Sequence, residues 1–316
     1  MKTNSKTCRQ NSECRQNADN YDIEYSKIKA SMVKDINIID FNTTIGVKKP
    51  RTIQGMANTS DCPFCDVEHL VGIIETDDNI ILLKNKYNVM EPSDQLVLIE
   101  TDQCKSDIPD YSKEQMRRVI HMGVKHWIKM LNCGKYRSVI FFKNFGPMSG
   151  GTIQHPHMQL VGYPELDPDL MFDPVEFEGL KIFEDKGVEL NTSTNPRIGF
   201  SEYNLVLHHE AYSSGESGAS MESSDTVALM PKDDSLNLLA DLIKETVTFM
   251  KGYFKRPNFS YNLFFYNVEK KMRVKIMPRF ATPPMYVGYN IHLRPTSIPD
   301  FAENLRAHLE KQGYMK

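Results

Sequence analysis

One order of elements occurs twice along this chain, and that repetition narrows the available folds more than any other feature. In the first copy, strands are expected near Asn79 to Leu83 and Gln95 to Glu100. A helix follows, opened by Ser112 with Gln115 three residues on, the pattern of a capping box. Met116, Val119, Ile120, Trp127 and Leu131 recur on one helical face until Asn132-Cys133-Gly134 stops the run. Strands at Ser138 to Asn144 and His155 to Gly162 complete the copy. The second copy runs from a strand at Phe200 to Leu207, through a helix carrying Leu238, Leu239, Leu242, Ile243, Val247 and Met250, to strands at Tyr261 to Asn267 and Arg273 to Met277. Phe141-Phe142-Lys143-Asn144 finds an echo in Phe264-Phe265-Tyr266-Asn267. A closing helix is expected from near Ser297, with Phe301, Leu305 and Leu309 facing inward. Antiparallel strands segregated from a few helices make this an α+β chain, two related halves in one sheet system.

The expected division is a flexible polar tail over residues 1–24, a first half over 25–170 and a second half over 171–316. The tail carries a short duplication, Cys8-Arg9-Gln10-Asn11 and Cys14-Arg15-Gln16-Asn17, and too little apolar surface to order itself. Ser213-Ser214-Gly215-Glu216-Ser217-Gly218-Ala219-Ser220 reads as a mobile loop. The 38 basic and 41 acidic residues leave a formal charge of −3, so no field of the kind that recruits nucleic acid or an anionic membrane is expected. Runs such as Leu96-Val97-Leu98-Ile99 are strand-length, far short of the ~20 residues that cross a bilayer. With no apolar core of a signal peptide near the amino terminus, the expected compartment is the cytoplasm, where the six cysteines stay reduced.

The chemistry concentrates in Gly150-Gly151-Thr152-Ile153-Gln154-His155-Pro156-His157-Met158-Gln159. Side chains alternate along a strand, which predicts His155, His157 and Gln159 on one face. The glycine turn from Asn144 to Thr152 predicts a nest of backbone N–H groups that accepts a phosphate. A phosphoryl group there would sit over His157, whose neutral imidazole is a competent nucleophile near pH 7, and the Gln159 amide would donate to a non-bridging oxygen. Histidine pairs in strands also serve plain packing, but the glycine turn before this pair and the in-line Gln159 behind it favour chemistry.

Cys62-Pro63-Phe64-Cys65 has the spacing at which two thiolates grip one metal ion, and a zinc site needs two more ligands. A redox Cys-x-x-Cys is the weaker reading, because a loop rather than a strand precedes it.

At these residues the chain resembles the histidine-triad superfamily, in its galactose-1-phosphate uridylyltransferase branch. The motif Asn-x-Gly-x-x-x-Gly-x-Ser-x-x-His-Pro-His-x-Gln is met in register by Asn144, Gly146, Gly150, Thr152, His155, Pro156, His157 and Gln159, with Thr in place of Ser. The resemblance implies the fold of that superfamily, His157 as the residue that takes the nucleotidyl group, and Gln159 and Thr152 as phosphate contacts. It also implies a structural zinc held by Cys62, Cys65, Cys104 and His155, with Cys104 standing where the family usually has His. Cys104 as a small buried residue is the alternative. Asn85, in Asn85-Lys86-Tyr87, is carried over as a ribose or base contact. Lys48-Lys49-Pro50-Arg51 resembles the basic segment near the substrate phosphates, or is a solvated patch. The second half departs from the branch: Arg273, Lys275 and Met277 stand where a second His-x-His strand often occurs. Lys275 is expected on a solvated strand face, with a sugar phosphate contact as the alternative.

The function implied is nucleotidyl transfer between a nucleotide sugar and a sugar 1-phosphate through a nucleotidyl-histidine. The site residues on this reading are His157 and Gln159 for catalysis, with Asn85, Asn144, Gly150, Gly151 and Thr152 binding substrate. Alternatives are a phosphorylase or hydrolase of the same superfamily and a nucleotide-binding regulator without turnover. A homodimer is compatible with all three.

Overall fold

The two copies join edge to edge into a single ten-stranded antiparallel sheet. The computed structural model describes residues 37–53, 62–213 and 227–315. The expected tail over 1–24 and all but Ser213 of the expected loop over 213–220 lie outside the described residues, as does most of the loop before Cys62. In chain order the strands and α-helices are β1 (Asp40–Phe41), α1 (Thr43–Lys48), β2 (Ile73–Asp77), β3 (Ile80–Lys84), β4 (Met90–Glu91), β5 (Asp94–Ile99), α2 (Lys113–Leu131), β6 (Ser138–Phe145), β7 (His157–Tyr163), β8 (Gly179–Asp185), β9 (Val188–Ser193), β10 (Tyr203–Leu207), α3 (Asp233–Phe254), β11 (Tyr261–Val268), β12 (Lys271–Pro278), α4 (Pro284–Tyr289) and α5 (Ile298–Lys311). Strands β1 and β4 pair separately.

The sheet order is β2-β3-β5-β7-β6-β11-β12-β10-β9-β8. Read inward from either edge it is the same arrangement, with β8, β9, β10, β12 and β11 matching β2, β3, β5, β7 and β6. At the centre Phe142 pairs with Phe264. Phe142 also pairs with Gln159 on β7, as Phe264 pairs with Lys275 on β12. Lys275 is therefore the counterpart of Gln159, and Arg273 that of His157.

One face of the sheet is covered by helices. Met116, Val119, Ile120, Trp127 and Leu131 of α2 are buried, as are Leu239, Leu242, Ile243, Val247 and Met250 of α3, in one cluster with Leu98, Phe141, Met158, Leu160, Leu263, Val274 and Ile276. Each buried side chain of this size contributes roughly 1.5–3 kcal/mol. The indole of Trp127 donates to the Val139 carbonyl (2.8 Å), so its one polar atom is satisfied inside the core. On α5, Leu305 and Leu309 are buried as expected, and Phe301 is half-buried. Ser112 caps α2 by accepting from the Gln115 N–H (3.0 Å). The reciprocal half of the expected capping box is not made, because the Gln115 side chain reaches across to the Glu100 carbonyl instead.

The opposite face of the first half carries a smaller apolar cluster of Ile81, Leu83, Val97 and Ile99, against which Phe64 and Leu70 pack. That face holds the site. Among the described residues no helix is long and apolar enough to cross a membrane.

Candidate active site

Two turns and the entry to β7 bring four metal-ligating side chains together. Cys62 and Cys65 belong to one turn, closed by the Cys65 N–H donating to the Cys62 carbonyl (3.2 Å). Cys104 lies in the turn after β5, where the Thr101 hydroxyl accepts from the Gln103 N–H (3.2 Å). His155 is fully buried, with Nδ1 3.5 Å from both Cys62 Sγ and Cys65 Sγ. The ligand atoms of Cys62, Cys65, Cys104 and His155 all lie within 4.8 Å of one another.

This donor set fits zinc. Tetrahedral ligands at Zn–S of about 2.3 Å and Zn–N of about 2.0–2.1 Å stand about 3.5 Å apart, the separation found here. His155 Nε2 lies 2.7 Å from the Thr101 carbonyl, so that nitrogen carries the proton and Nδ1 presents its lone pair to the thiols. Burial pushes the Cys62 thiol up and the Cys104 thiol to about 12, the crowded sulfurs adding to the effect at Cys104. The Cys62 and Cys104 thiols in this position stay protonated unless a cation joins them.

The expected strand from His155 begins two residues later, at His157. His155 is turned away to the cysteines and Thr101, so only His157 and Gln159 share the strand face. The carbonyl of Pro156 accepts from the Glu100 N–H (3.1 Å) and thereby sets the register with β5. His157 is 8 % exposed, and its Nδ1 donates to the His155 carbonyl (2.8 Å), which leaves Nε2 as the unprotonated nitrogen. Burial holds the imidazole down to about 4, with the Lys143 and Lys49 charges acting in the same direction, so it is neutral throughout the physiological range. The Phe64 ring meets its edge at a centroid distance of 5.3 Å.

The glycine turn in front of β7 is braced from the second half of the chain. Gly146 has φ of 81°, and a Cβ there would lie 2.4 Å from Ser260 Oγ and 2.6 Å from the Phe259 carbonyl. Only glycine fits that approach. Ser260 Oγ accepts from the Met148 N–H (3.1 Å), and Asn262 Nδ2 donates to Asn144 Oδ1 (2.6 Å) and the Ser149 carbonyl (3.0 Å). The expected nest is smaller than the turn. The N–H groups of Met148, Ser149 and Gly151 are used internally, by Ser260 Oγ, the Gly146 carbonyl and Ser149 Oγ. The N–H groups of Gly150 and Thr152 have no partner among the described residues.

A cavity of about 270 Å³ opens over this turn. Asn85, Asn144, Gly150, Gly151, Thr152, His157 and Gln159 all border it, so the structure brings the expected catalytic and substrate-binding residues together. Asn85 does so with its polar atoms already committed: its Nδ2 donates to Gln95 Oε1 (3.0 Å) and its Oδ1 accepts from the Tyr87 N–H (2.9 Å). Those bonds hold the loop between β3 and β5 and leave one N–H and one lone pair of the amide unused among the described residues.

Two further wall residues were named by sequence only as parts of longer runs. Lys49 reaches the cavity because the Thr52 N–H donates to the Thr152 carbonyl (2.9 Å) and Thr52 Oγ1 accepts from the Gln154 N–H (2.7 Å). Burial lowers the Lys49 ammonium below the ordinary lysine range, as for a cation held away from water. The signal was the basic run from Lys48 to Arg51, which does not say which member turns inward. Phe64 was legible only as a spacer between two cysteines.

In the second half, the expected solvated Lys275 is wrong. It is fully buried, 3.2 Å from the Glu202 carboxylate, and donates to the Glu176 carbonyl and Asn204 Oδ1 (2.8 Å each). The turn Pro174–Phe177 covers that strand face, with Phe177 packed on Val206 and Val268. Arg273 likewise turns to protein, donating to the Leu207 carbonyl (2.8 Å).

Residues 41–166 match the N-terminal domain of the family of unknown function DUF4931, and residues 169–213 and 224–310 match its C-terminal domain. The chain belongs to the DUF4931 family. A DUF4931 protein of known structure from Bacillus cereus ATCC 10987 is 34% identical, over 75% of this chain and 99% of that one, with a TM-score of 0.60. A uridylyltransferase superposes with a TM-score of 0.61 at 15% identity, over 81% of this chain and 94% of that one. An ADP-glucose phosphorylase from Arabidopsis thaliana, solved with bound ADP-glucose, superposes with a TM-score of 0.61 at 14% identity, over 80% and 92% of the two chains. This DUF4931 chain thus has the fold of the uridylyltransferase-like branch of the histidine-triad superfamily, as its motif implied. No curated protein matches it in sequence.

Proposed function

We propose that this DUF4931 protein is a nucleotidyltransferase acting by double displacement at His157. The observation that carries the reading is the state of that ring. Its Nδ1–H is engaged by the His155 carbonyl, which directs the free lone pair of a neutral imidazole at Nε2 into a cavity rimmed by Gly150, Thr152 and Gln159. A nucleotide sugar binds with its α-phosphate on the free N–H groups of Gly150 and Thr152 and near the Lys49 ammonium. His157 Nε2 forms a bond to the α-phosphorus as the bond to the sugar 1-phosphate oxygen breaks, that oxygen taking the electron pair. The Gln159 amide donates to a non-bridging oxygen as charge builds. A second phosphate then attacks the phosphoramidate and regenerates the imidazole, which predicts ping-pong kinetics. The base stacks among Phe64, Leu83, Val97 and Tyr87.

Zinc on Cys62, Cys65, Cys104 and His155 would supply the charge that ionises the thiols and would tie two turns to the entrance of β7, fixing the position of His157. A reducing, cytoplasmic compartment suits that donor set. The division into a chemical half over 25–170 and a supporting half over 171–316 is part of the same proposal.

The test is incubation with nucleotide sugars labelled at the α-phosphate. Acid-labile, base-stable label on the protein, absent from His157→Ala, is the expected result. Release of label to a sugar 1-phosphate identifies a transferase, and release to orthophosphate a phosphorylase. Tight nucleotide binding without label would mean a regulator and end the reading.

A further inference from the structure

A second cavity, of about 440 Å³, lies on the same sheet face over β6, β11 and β12. Ile140, Phe172, Phe264, Tyr266 and Met277 give it apolar and aromatic walls, and Arg279 lines one end. That end is next to the glycine turn, because the Arg279 N–H donates to the carbonyl of Ser260 (2.7 Å), whose hydroxyl braces Met148. The acidic lining residue Glu269 stands at the other end, where the hairpin of β11 and β12 turns, and Asp169 also lines the cavity.

The two buried carboxylates of this face, Glu202 and Glu176, are already taken by other cations. Lys275 pairs with Glu202 (3.2 Å) and Arg197 with Glu176 (3.0 Å). Glu202 is further occupied by the N–H groups of Arg197 (2.9 Å) and Ile198 (2.8 Å). Arg279 has no carboxylate within ion-pair distance among the described residues, and its guanidinium donates to two neutral oxygens, Asn262 Oδ1 (3.1 Å) and Thr282 Oγ1 (3.2 Å). A partly buried cation without a counter-ion is costly, and an anion beside it removes that cost. The fork of the guanidinium matches the oxygens of a phosphate.

We propose that this cavity binds a phosphate monoester carried on a flat apolar body, with the phosphate on Arg279 and the body against Phe264, Tyr266 and Ile140. The site is separate from the nucleotide cavity, and the two are joined by one row of hydrogen bonds. Arg279 holds Asn262, and Asn262 holds Asn144 and the Ser149 carbonyl of the glycine turn.

Phenyl phosphate and inorganic phosphate, titrated calorimetrically into the full chain, test this. Phenyl phosphate should bind at least about tenfold more tightly than inorganic phosphate, since only it fills the apolar walls. Arg279→Met, which removes the charge and keeps the bulk, and Ile140→Trp, which fills the cavity and keeps Arg279, should each weaken that binding at least about tenfold. A crystal soaked in phenyl phosphate should show it beside Arg279. Unchanged affinity in both variants, or phenyl phosphate in the His157 cavity alone, overturns the proposal. No nucleotide enters the experiment, so an absence of label on His157 leaves its result intact.

Discussion

The two halves of the sheet share a strand order and a register, yet over the strand that carries His157 and Gln159 one keeps an open cavity, whereas the counterpart side chains of the other are buried against protein. At counterpart positions the first half has His157 and Gln159, and the second has Arg273 and Lys275. The first half's sheet face is roofed at a distance by Phe64 and Lys49, which leaves about 270 Å³. In the second half the turn Pro174–Phe177 comes down onto the sheet, and Phe177 and Phe172 pack on Tyr266 of β11 as a three-ring cluster. A neutral imidazole can stand in a cavity because it needs only one hydrogen bond to settle its tautomer. A lysine at the same depth has three donors and a charge, and it must be surrounded by Glu202, Glu176 and Asn204. The lesson is that connections between strands, rather than the strands themselves, decide whether such a half does chemistry or supplies support.

The sharpest way to break this contrast is His157→Ala, which should reduce nucleotidyl labelling by at least about 10³-fold with the fold intact, measured by autoradiography and circular dichroism. Label that persists would deny the first half its role. Next in size is the metal clamp. Metal analysis should give one zinc per chain, lost in Cys62→Ser together with stability on the order of several kcal/mol, read by denaturant unfolding. A fully folded, metal-free protein would remove zinc from the account.

For the second half, Lys275→Met strands Glu202 as an unpaired buried charge and should cost about 3 kcal/mol of stability. Labelling per folded molecule should stay unchanged. A loss of labelling without loss of stability would show that Lys275 belongs to the chemistry after all.

The smallest expected effect concerns acid. The His308 ring, 3.0 Å from Glu245, holds that carboxyl below the ordinary glutamate range. Its folded-state value is depressed, so its contribution is present above the unfolded value near 4.5 and is lost as pH falls below it. Glu245→Gln should therefore be less stable at pH 7 by under about 1 kcal/mol, and the difference should shrink as pH is lowered from 4.5, by thermal unfolding across that range. Equal stability at pH 7 would dissolve the pair.

Much of the first half was readable from local pattern. The face of α2 follows from apolar residues at helical spacing, and β6 and β7 follow from strand runs set by turns. Strands β2, β8 and β9 were not singled out. In β2, exposed Ile73 and Ile74 stand next to each other at the sheet edge, and in β8 an irregularity between Lys181 and Phe183 leaves buried Ile182 and Phe183 side by side, so neither run alternates cleanly. His155 was placed on the strand by its period of two, but its ring is claimed by cysteines 90 and more residues away. No local pattern carries that pull.

The amino-acid sequence alone determined the chemistry on offer: a glycine turn, an imidazole with an amide two residues on, and a thiol pair at metal spacing. Those follow from short-range covalent geometry, which spacing along a chain expresses directly. Only the tertiary structure decided which of these groups are neutral, buried or paired. Lys49 turning inward, Phe64 closing on His157, Lys275 sinking into an ion pair and Asn262 bracing the turn all depend on partners distant in sequence. Burial and charge pairing act through space, and a linear pattern does not record them.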